Sequence, residues 1–307
     1  MNVRGWWSVL VVGLGLLTPA TGQAYCRSTA CGNEKDQVRC VADDSNPECS
    51  ITGQPLAWPS PCVGLSLNRQ ASTQVPYEEF ERVVRASFEA WNQVTCQGEA
   101  PSIATTILGP VDCDEVKFNE ESGNANIIVF RDEAWPHAGQ TQVLALTTLT
   151  YGQKTGVIYG ADMEIKSQKG VVRLTTSDTN VDIDLQSIIT HEAGHLLGLA
   201  HSNVTGATML ATYKDRSTEF RTLEQDDIDG LCAAYPPDRG GLLACDPSGP
   251  SPRSLGLSGV CGGGDLSPPG DDGCGCRAVA AAPGSPVGSA LALGLLVASV
   301  GGRHQQA

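Results

Sequence analysis

The segment from His191 to His201, His-Glu-Ala-Gly-His-Leu-Leu-Gly-Leu-Ala-His, constrains this chain more than any other part of it. It places three of the five histidines of a 307-residue sequence in one short stretch. Residues four apart share a helix face, so His191 and His195 can aim ring nitrogens at one point. Glu192 lies one position round, beside that point. Gly198 lets the chain leave the helix through positive φ, which a Cβ resists, and His201 can then swing back as a third ligand. Three nitrogens with an open fourth position describe a catalytic zinc site, because structural zinc sites are usually closed by four protein ligands. A buried amphipathic helix would account for Ile188, Ile189, Leu196, Leu197 and Leu199, but it leaves three histidines on the remaining face unexplained.

The spacing H-E-x-x-H-x-x-G-x-x-H is the metzincin signature, and the stretch after it resembles the matrixins. Metzincins carry a Met-turn beneath the metal, and Met209 in Ala207-Thr208-Met209-Leu210 stands at a suitable distance. Tyr213 falls where matrixins place a tyrosine that helps wall the S1′ pocket. Ala211 occupies the position where some other metzincins place an extra tyrosine ligand. The run Leu223 to Leu231 resembles the start of the matrixin C-terminal helix, and Ala234-Tyr235-Pro236 its end. Asp226 and Asp227 suit that helix's N-terminal dipole, although a solvated acidic first turn explains them almost as well. The resemblance implies an α+β, zincin-like domain. Its sheet is twisted and mostly parallel with an antiparallel edge strand, followed by the zinc helix, the Met-turn and the final helix. It also implies that Leu144-Ala145-Leu146 pairs main chain to main chain with an extended peptide. Leu144, Ala145 and Tyr213 are therefore candidate substrate contacts.

Local patterning supports that element order. Val63–Leu67 alternates as a first strand, Ile103–Ile107 reads as a second, and the apolar run 126–130 as a central third. Further strands are expected at 143–149 and 160–165. Pro76 opens a helix on which Phe80, Val83, Val84, Phe88 and Trp91 recur at helical spacing, with Glu78, Glu79 and Glu81 in its first turn. Asp184 is a suitable N-cap for the helix bearing His191.

The expected chemistry is peptide hydrolysis. Zinc on His191, His195 and His201 brings the pKa of its water towards about 7, and Glu192 serves as general base. Animal matrixins hold a second, structural zinc after the third strand. Here His137 is the only candidate there and reads as a surface loop residue, so one zinc per chain is expected. Asp162 and Glu164 point to one strand face and could help bind calcium, with a solvated face as the alternative. The nearest match to the family's inhibitory Pro-Arg-Cys-Gly segment, Cys31-Gly32, lacks the flanking residues, so a cysteine switch is unsupported.

Residues 1–24 read as a signal peptide: Arg4, an apolar run from Trp6 to Leu17, then Gly22-Gln23-Ala24. The 12 cysteines of an exported chain imply disulfides. A formal net charge of −14 argues against nucleic acid or anionic lipid as partners. The expected organisation continues with a Cys-rich extension (25–62), the protease domain (63–237), a Gly/Pro/Ser-rich linker (238–272) and a tail (273–307). The tail, with Cys274 and Cys276, an uncharged stretch and a basic end, resembles the MYXO-CTERM sorting tags of myxobacterial surface proteins. Membrane contact is expected only through it. Together these features point to a secreted or cell-surface zinc endopeptidase acting on extended protein or peptide substrates. The competing reading is a non-catalytic zinc-containing surface binding module, against which the presence of Glu192 argues.

Overall fold

The computed structural model describes residues 24–32, 37–118, 124–140 and 142–239, with the backbone of two tail strands at Leu291–Leu293 and Val297–Ala298. Nearly all of the expected signal peptide, the linker beyond Arg239 and the rest of the sorting tail, with its two cysteines, lie outside the described residues.

In chain order the first strands are β1 (Cys26–Arg27), β2 (Thr29–Ala30), β3 (Gln54–Pro55) and β4 (Cys62–Asn68), followed by helix α1 (Tyr77–Asn92). Next come β5 (Ala104–Val111), β6 (Ile127–Arg131), β7 (Ala145–Tyr151), β8 (Ile158–Lys166), β9 (Leu174–Thr175) and β10 (Ile183–Asp184). The zinc-motif helix α2 (Leu185–Leu196) leads to β11 (Leu199–Ala200), β12 (Thr212–Tyr213) and α3 (Gln225–Ala234), and the tail adds β13 (Leu291–Leu293) and β14 (Val297–Ala298).

One sheet dominates, in the order β13-β7-β8-β6-β4-β5. The pairs β4/β5, β4/β6 and β6/β8 are parallel, and β7 runs antiparallel to β8. The α+β architecture with a mostly parallel sheet and one antiparallel strand is thus present as expected. β6 is buried at every position but Arg131, which is why it reads as an apolar run, whereas β4, whose sequence alternates, is buried along its whole length on both faces. The second strand runs farther than expected, to Val111. The register slips at Leu65/Ser66, where Ser66 faces Gly109 at φ +118°, and Leu108 is the extra residue of a bulge. Only glycine takes that backbone angle without strain.

Helix α1 begins after Pro76 with Glu78 and Glu79 in its first turn, and it buries Phe80, Val83, Val84, Phe88 and Trp91. It packs against α2 and the sheet; the Phe80 and Phe130 rings lie 4.7 Å apart. A disulfide between Cys96 and Cys232 ties the segment after α1 to α3.

The N-terminal extension is stapled by Cys26–Cys49 and Cys31–Cys40 and seated on the α2 exit. There β1 pairs antiparallel with β11, and Ser28 N donates to Gly198 O at 2.9 Å. Its C-terminal part reaches the main core: Leu56 and Trp58 are fully buried, and Trp58 Nε1 donates to Leu196 O at 2.8 Å. Among the described residues no helix is long and apolar enough to cross a membrane.

Candidate metal centre

Helix α2 starts where Asp184 accepts a hydrogen bond from Ser187 N at 2.8 Å, satisfying one of the donors that a helix start leaves free. Arg221 grips the same carboxylate from outside, at 2.6 and 2.8 Å. From Ser187 to Leu196 every residue of the helix is buried. Such a helix carries no amphipathic stripe, so its histidines sit in the interior rather than on a wet face.

The three histidine side chains converge. His195 Nε2 lies 3.0 Å from His191 Nε2 and 3.2 Å from His201 Nε2. Each Nδ1 is engaged elsewhere: His191 with Thr208 O at 2.6 Å, His195 with Leu199 O at 2.9 Å, and His201 with Glu48 Oε2 at 2.7 Å. A carbonyl oxygen only accepts, so Nδ1 carries the proton in His191 and His195, and their neutral rings present bare lone pairs at Nε2. Burial, the largest cause, and the neighbouring His201 bring His191 down to about 3; burial and both other histidines hold His195 well below its usual range. Burial also lowers His201, against the opposing pull of Glu48. Lone pairs pressed this close repel unless a cation lies between them. Tetrahedral zinc at about 2.0–2.1 Å from each nitrogen needs nitrogens roughly 3.3 Å apart, close to the spacing found here. The donor set therefore fits zinc. Among the described residues this is the one converging group of three or more such ligands.

The chain leaves α2 through Gly198 at φ +89°, where a Cβ would come within 2.7 Å of Leu56 O. Met209 is buried against α2, with its sulfur 2.2 Å from where a Cβ on Gly194 would stand. The glycine here is a requirement of packing: any side chain at 194 would displace Met209 or Trp91. Asp227 holds this turn in place. Its Oδ2 accepts from Thr208 N at 2.8 Å and Glu224 N at 2.9 Å, and its Oδ1 from Met209 N at 2.9 Å. The solvated acidic turn considered for Asp226 and Asp227 is corrected: Asp227 is buried, and Asp226 accepts from Ser202 Oγ at 2.6 Å. Thr208 O in turn receives His191 Nδ1–H, so Asp227 reaches the metal site through one peptide unit.

Glu192 is fully buried, with one oxygen held and one free. Thr147 Oγ1 donates to Oε2 at 2.6 Å, while Oε1 has no hydrogen-bond partner among the described residues. A buried carboxylate with one unpartnered oxygen, on the residue next to His191, suits a water held by a cation among the three rings. Burial pushes Glu192 up to about 8, with the Thr147 hydrogen bonds pulling the other way. A cation among the rings would lower it again.

Along β7, Leu144 O accepts from Lys166 N at 2.8 Å. The alternation of an antiparallel ladder then turns the backbone groups of Ala145, Thr147 and Leu149 to the other side. There β13 pairs antiparallel, Leu293 opposite Thr147 and Leu291 opposite Leu149. Leu144 is buried and its carbonyl serves β8, whereas Ala145 opens β7 with its backbone groups outward. Tyr213 is buried beside α2: its hydroxyl accepts from Asp184 N at 2.9 Å and donates to Ser217 O at 2.7 Å. Its ring meets Phe220 edge-on, and Phe220 stacks on His191 at 5.9 Å. The other tail strand, β14, pairs parallel with Thr212–Tyr213.

Two further expectations change. His137 is half-buried rather than a surface residue, with Nε2 2.7 Å from Glu164 Oε2, while Arg131 Nε takes Glu164 Oε1 at 2.6 Å. Glu164 is thus a buried ion-pair centre and not part of a solvated face, and both its oxygens are already engaged. Asp162 accepts from Ile127 N at 3.0 Å, and burial pushes it up to about 7. Nothing here recommends calcium. The Cys31 sulfur is spent in its bond to Cys40. Sequence reasoning missed Thr147, Glu48 and Gly194. The one visible signal was a glycine, unfavourable in a helix interior, standing inside the motif.

Comparison with known proteins agrees with this geometry. The chain is 28% identical over 215 residues to human neutrophil collagenase, covering 70% of this chain and 40% of that protein. It is 28% identical over 200 residues to matrix metalloproteinase-16 of Mus musculus, covering 62% of this chain and 29% of that protein. Metalloendoproteinase 4-MMP of Arabidopsis thaliana is 39% identical over 70 residues, 23% of this chain and 20% of its own. The chain thus spans well under half the length of these relatives. The Peptidase M10 matrixin profile matches residues 58–236, from the buried Trp58 to the end of α3, and the chain belongs to the matrixin family.

Proposed function

We propose that this protein is an exported, zinc-dependent endopeptidase that hydrolyses peptide bonds in extended protein or peptide substrates. Matrixins use zinc, and the observation that carries the reading is the convergence of three histidine side chains next in sequence to a buried Glu192 with one unpartnered oxygen. Zinc on His191, His195 and His201 would polarise a water and the scissile carbonyl oxygen.

Every other step belongs to side chains of this chain. The Thr147 hydroxyl fixes Glu192 Oε2 and leaves Oε1 to take the water's proton. The water oxygen bonds to the carbonyl carbon, the C–N bond breaks, and Glu192 passes the proton to the leaving nitrogen. The outward backbone groups of Ala145, Thr147 and Leu149 hold the substrate as an added strand, a reading supported by the pairing of β13 along that edge. Tyr213, at the matrixin position that helps wall the S1′ pocket, is the candidate side-chain contact. Export is supported by the apolar N-terminal run and by the disulfides. The tail then serves for sorting or anchoring at the cell surface.

Glu192→Gln tests the reading. It should keep the zinc and the fold but lose peptide cleavage by about 10²–10⁴-fold, as expected when a general base is removed. Substantial remaining cleavage would refute the role of Glu192, whereas a parent protein that binds zinc and cleaves no peptide would favour the non-catalytic zinc module.

A further inference from the structure

The three histidines are not held alike. His191 and His195 are oriented by carbonyls of the protease fold itself, whereas His201 Nδ1 meets a carboxylate, Glu48 Oε2, supplied from 153 residues earlier by the N-terminal extension. Surface carboxylates make incidental contacts often, and the Glu48 side chain is 56% exposed. Its neighbours, however, show a fixed mounting. Cys49, next in sequence, is bonded to Cys26, and Cys26 pairs with Ala200 in the β1/β11 ladder, one residue before His201. Asn46 Nδ2 donates to His201 O at 2.9 Å, and Asn203 Nδ2 donates to Ser45 O at 2.7 Å. Asn46 is itself buried, and its carbonyl receives Cys49 N at 2.9 Å. The segment 45–49 is therefore clamped to the His201 carbonyl and the Asn203 side chain, with Cys49 tied to the strand pair just before His201, and Glu48 projects from that clamp.

We propose that Glu48 is a positioning residue for the third metal ligand, so that the N-terminal extension completes the zinc site. The inference rests on the reading of the three histidines as a zinc site. An acceptor at Nδ1 keeps the proton there and leaves Nε2 unprotonated, facing His195 Nε2. A carboxylate in this place also makes the ring a stronger donor to a cation, and removing such a partner typically weakens metal binding by about 10–100-fold. His201 needs such support more than the other two, because it follows a glycine exit rather than riding on a helix.

The test uses the full chain and two variants, Glu48→Ala and Glu48→Gln, with zinc affinity read by competition against a chromophoric chelator. Nitrogen-15 NMR of the His201 ring reports the tautomer. Glu48→Ala should weaken zinc by about 10–100-fold and let the ring sample both tautomers, with the disulfides intact. Glu48→Gln keeps an oxygen acceptor and should weaken zinc less, by several-fold; being near-isosteric, it carries the test if the alanine variant does not fold. Parent-like affinity, within twofold, in the folded variants would overturn the role of Glu48 while leaving the metal site standing. Failure of the parent protein to bind zinc would instead remove the metal reading on which the inference rests.

Discussion

Replacing Asp227 by Asn is the sharpest structural perturbation this fold offers, because it changes one atom in a buried group that touches three backbone amides. Asp227 is 1% exposed and accepts from Thr208 N, Glu224 N and Met209 N. An asparagine can keep its oxygen towards Thr208 and Glu224, but its NH₂ then confronts the Met209 N–H. One charge-assisted bond is lost, at about 1.5–3 kcal/mol, and a buried donor is left unmet, at about 1–3 kcal/mol. Burial raises the Asp227 pKa despite those bonds, so the ionised form is held at a cost that asparagine escapes. The lower part of the range follows: about 3 kcal/mol, a large share of the roughly 5–15 kcal/mol that holds a domain folded. Urea unfolding with disulfides intact reads this directly. The Met-turn shift also moves Thr208 O, the acceptor of His191 Nδ1–H, so zinc affinity should fall by at least about 10-fold. A destabilisation below about 1 kcal/mol together with parent-like zinc affinity would refute the reasoning, leaving packing alone to hold the turn.

Thr147→Val removes the hydroxyl bond that lowers the Glu192 pKa. The acid limb of kcat/KM should therefore move to higher pH with zinc content unchanged, which a pH–rate profile would show. Gly194→Ala gains about 1 kcal/mol of helix propensity but puts a Cβ against Met209 Sδ and Trp91, an overpacking cost of about 1–3 kcal/mol. A lower Tm and weaker zinc binding are expected, and a more stable, tight-binding variant would contradict the packing account. Ending the chain after Arg239 removes β13 from the outer edge of β7, so KM for an extended peptide should fall. An unchanged KM would show that the tail does not compete there.

The zinc helix was legible because its chemistry demands fixed residue types at helical spacing, and α1 because Pro76 and five apolar positions repeat with a helix period. The strand β4 was legible from its alternation and β6 as a short apolar run. What escaped is single polar residues acting across long stretches of chain. Thr147 resembles any strand threonine, yet it faces Glu192 from 45 residues away. Glu48 lies in a polar, cysteine-rich stretch with no periodicity, and only the fold brings it to His201. Asp227 looked like an ordinary helix-start carboxylate, a role it also plays through its bond to Glu224 N. Its second role, gripping the Met-turn, depends on a contact that no local pattern records. His137 and Glu164 were likewise read by local context, which does not show that Arg131 and His137 close on one buried carboxylate.

The most direct measurement strips the purified protein of metal with a chelator, adds zinc back in steps, and follows bound zinc and cleavage of a quenched peptide in the same samples. The account predicts no turnover in the stripped protein and activity that rises with zinc to a plateau at one ion per chain. Cleavage that persists without metal, or stoichiometric zinc binding that restores none, would contradict it.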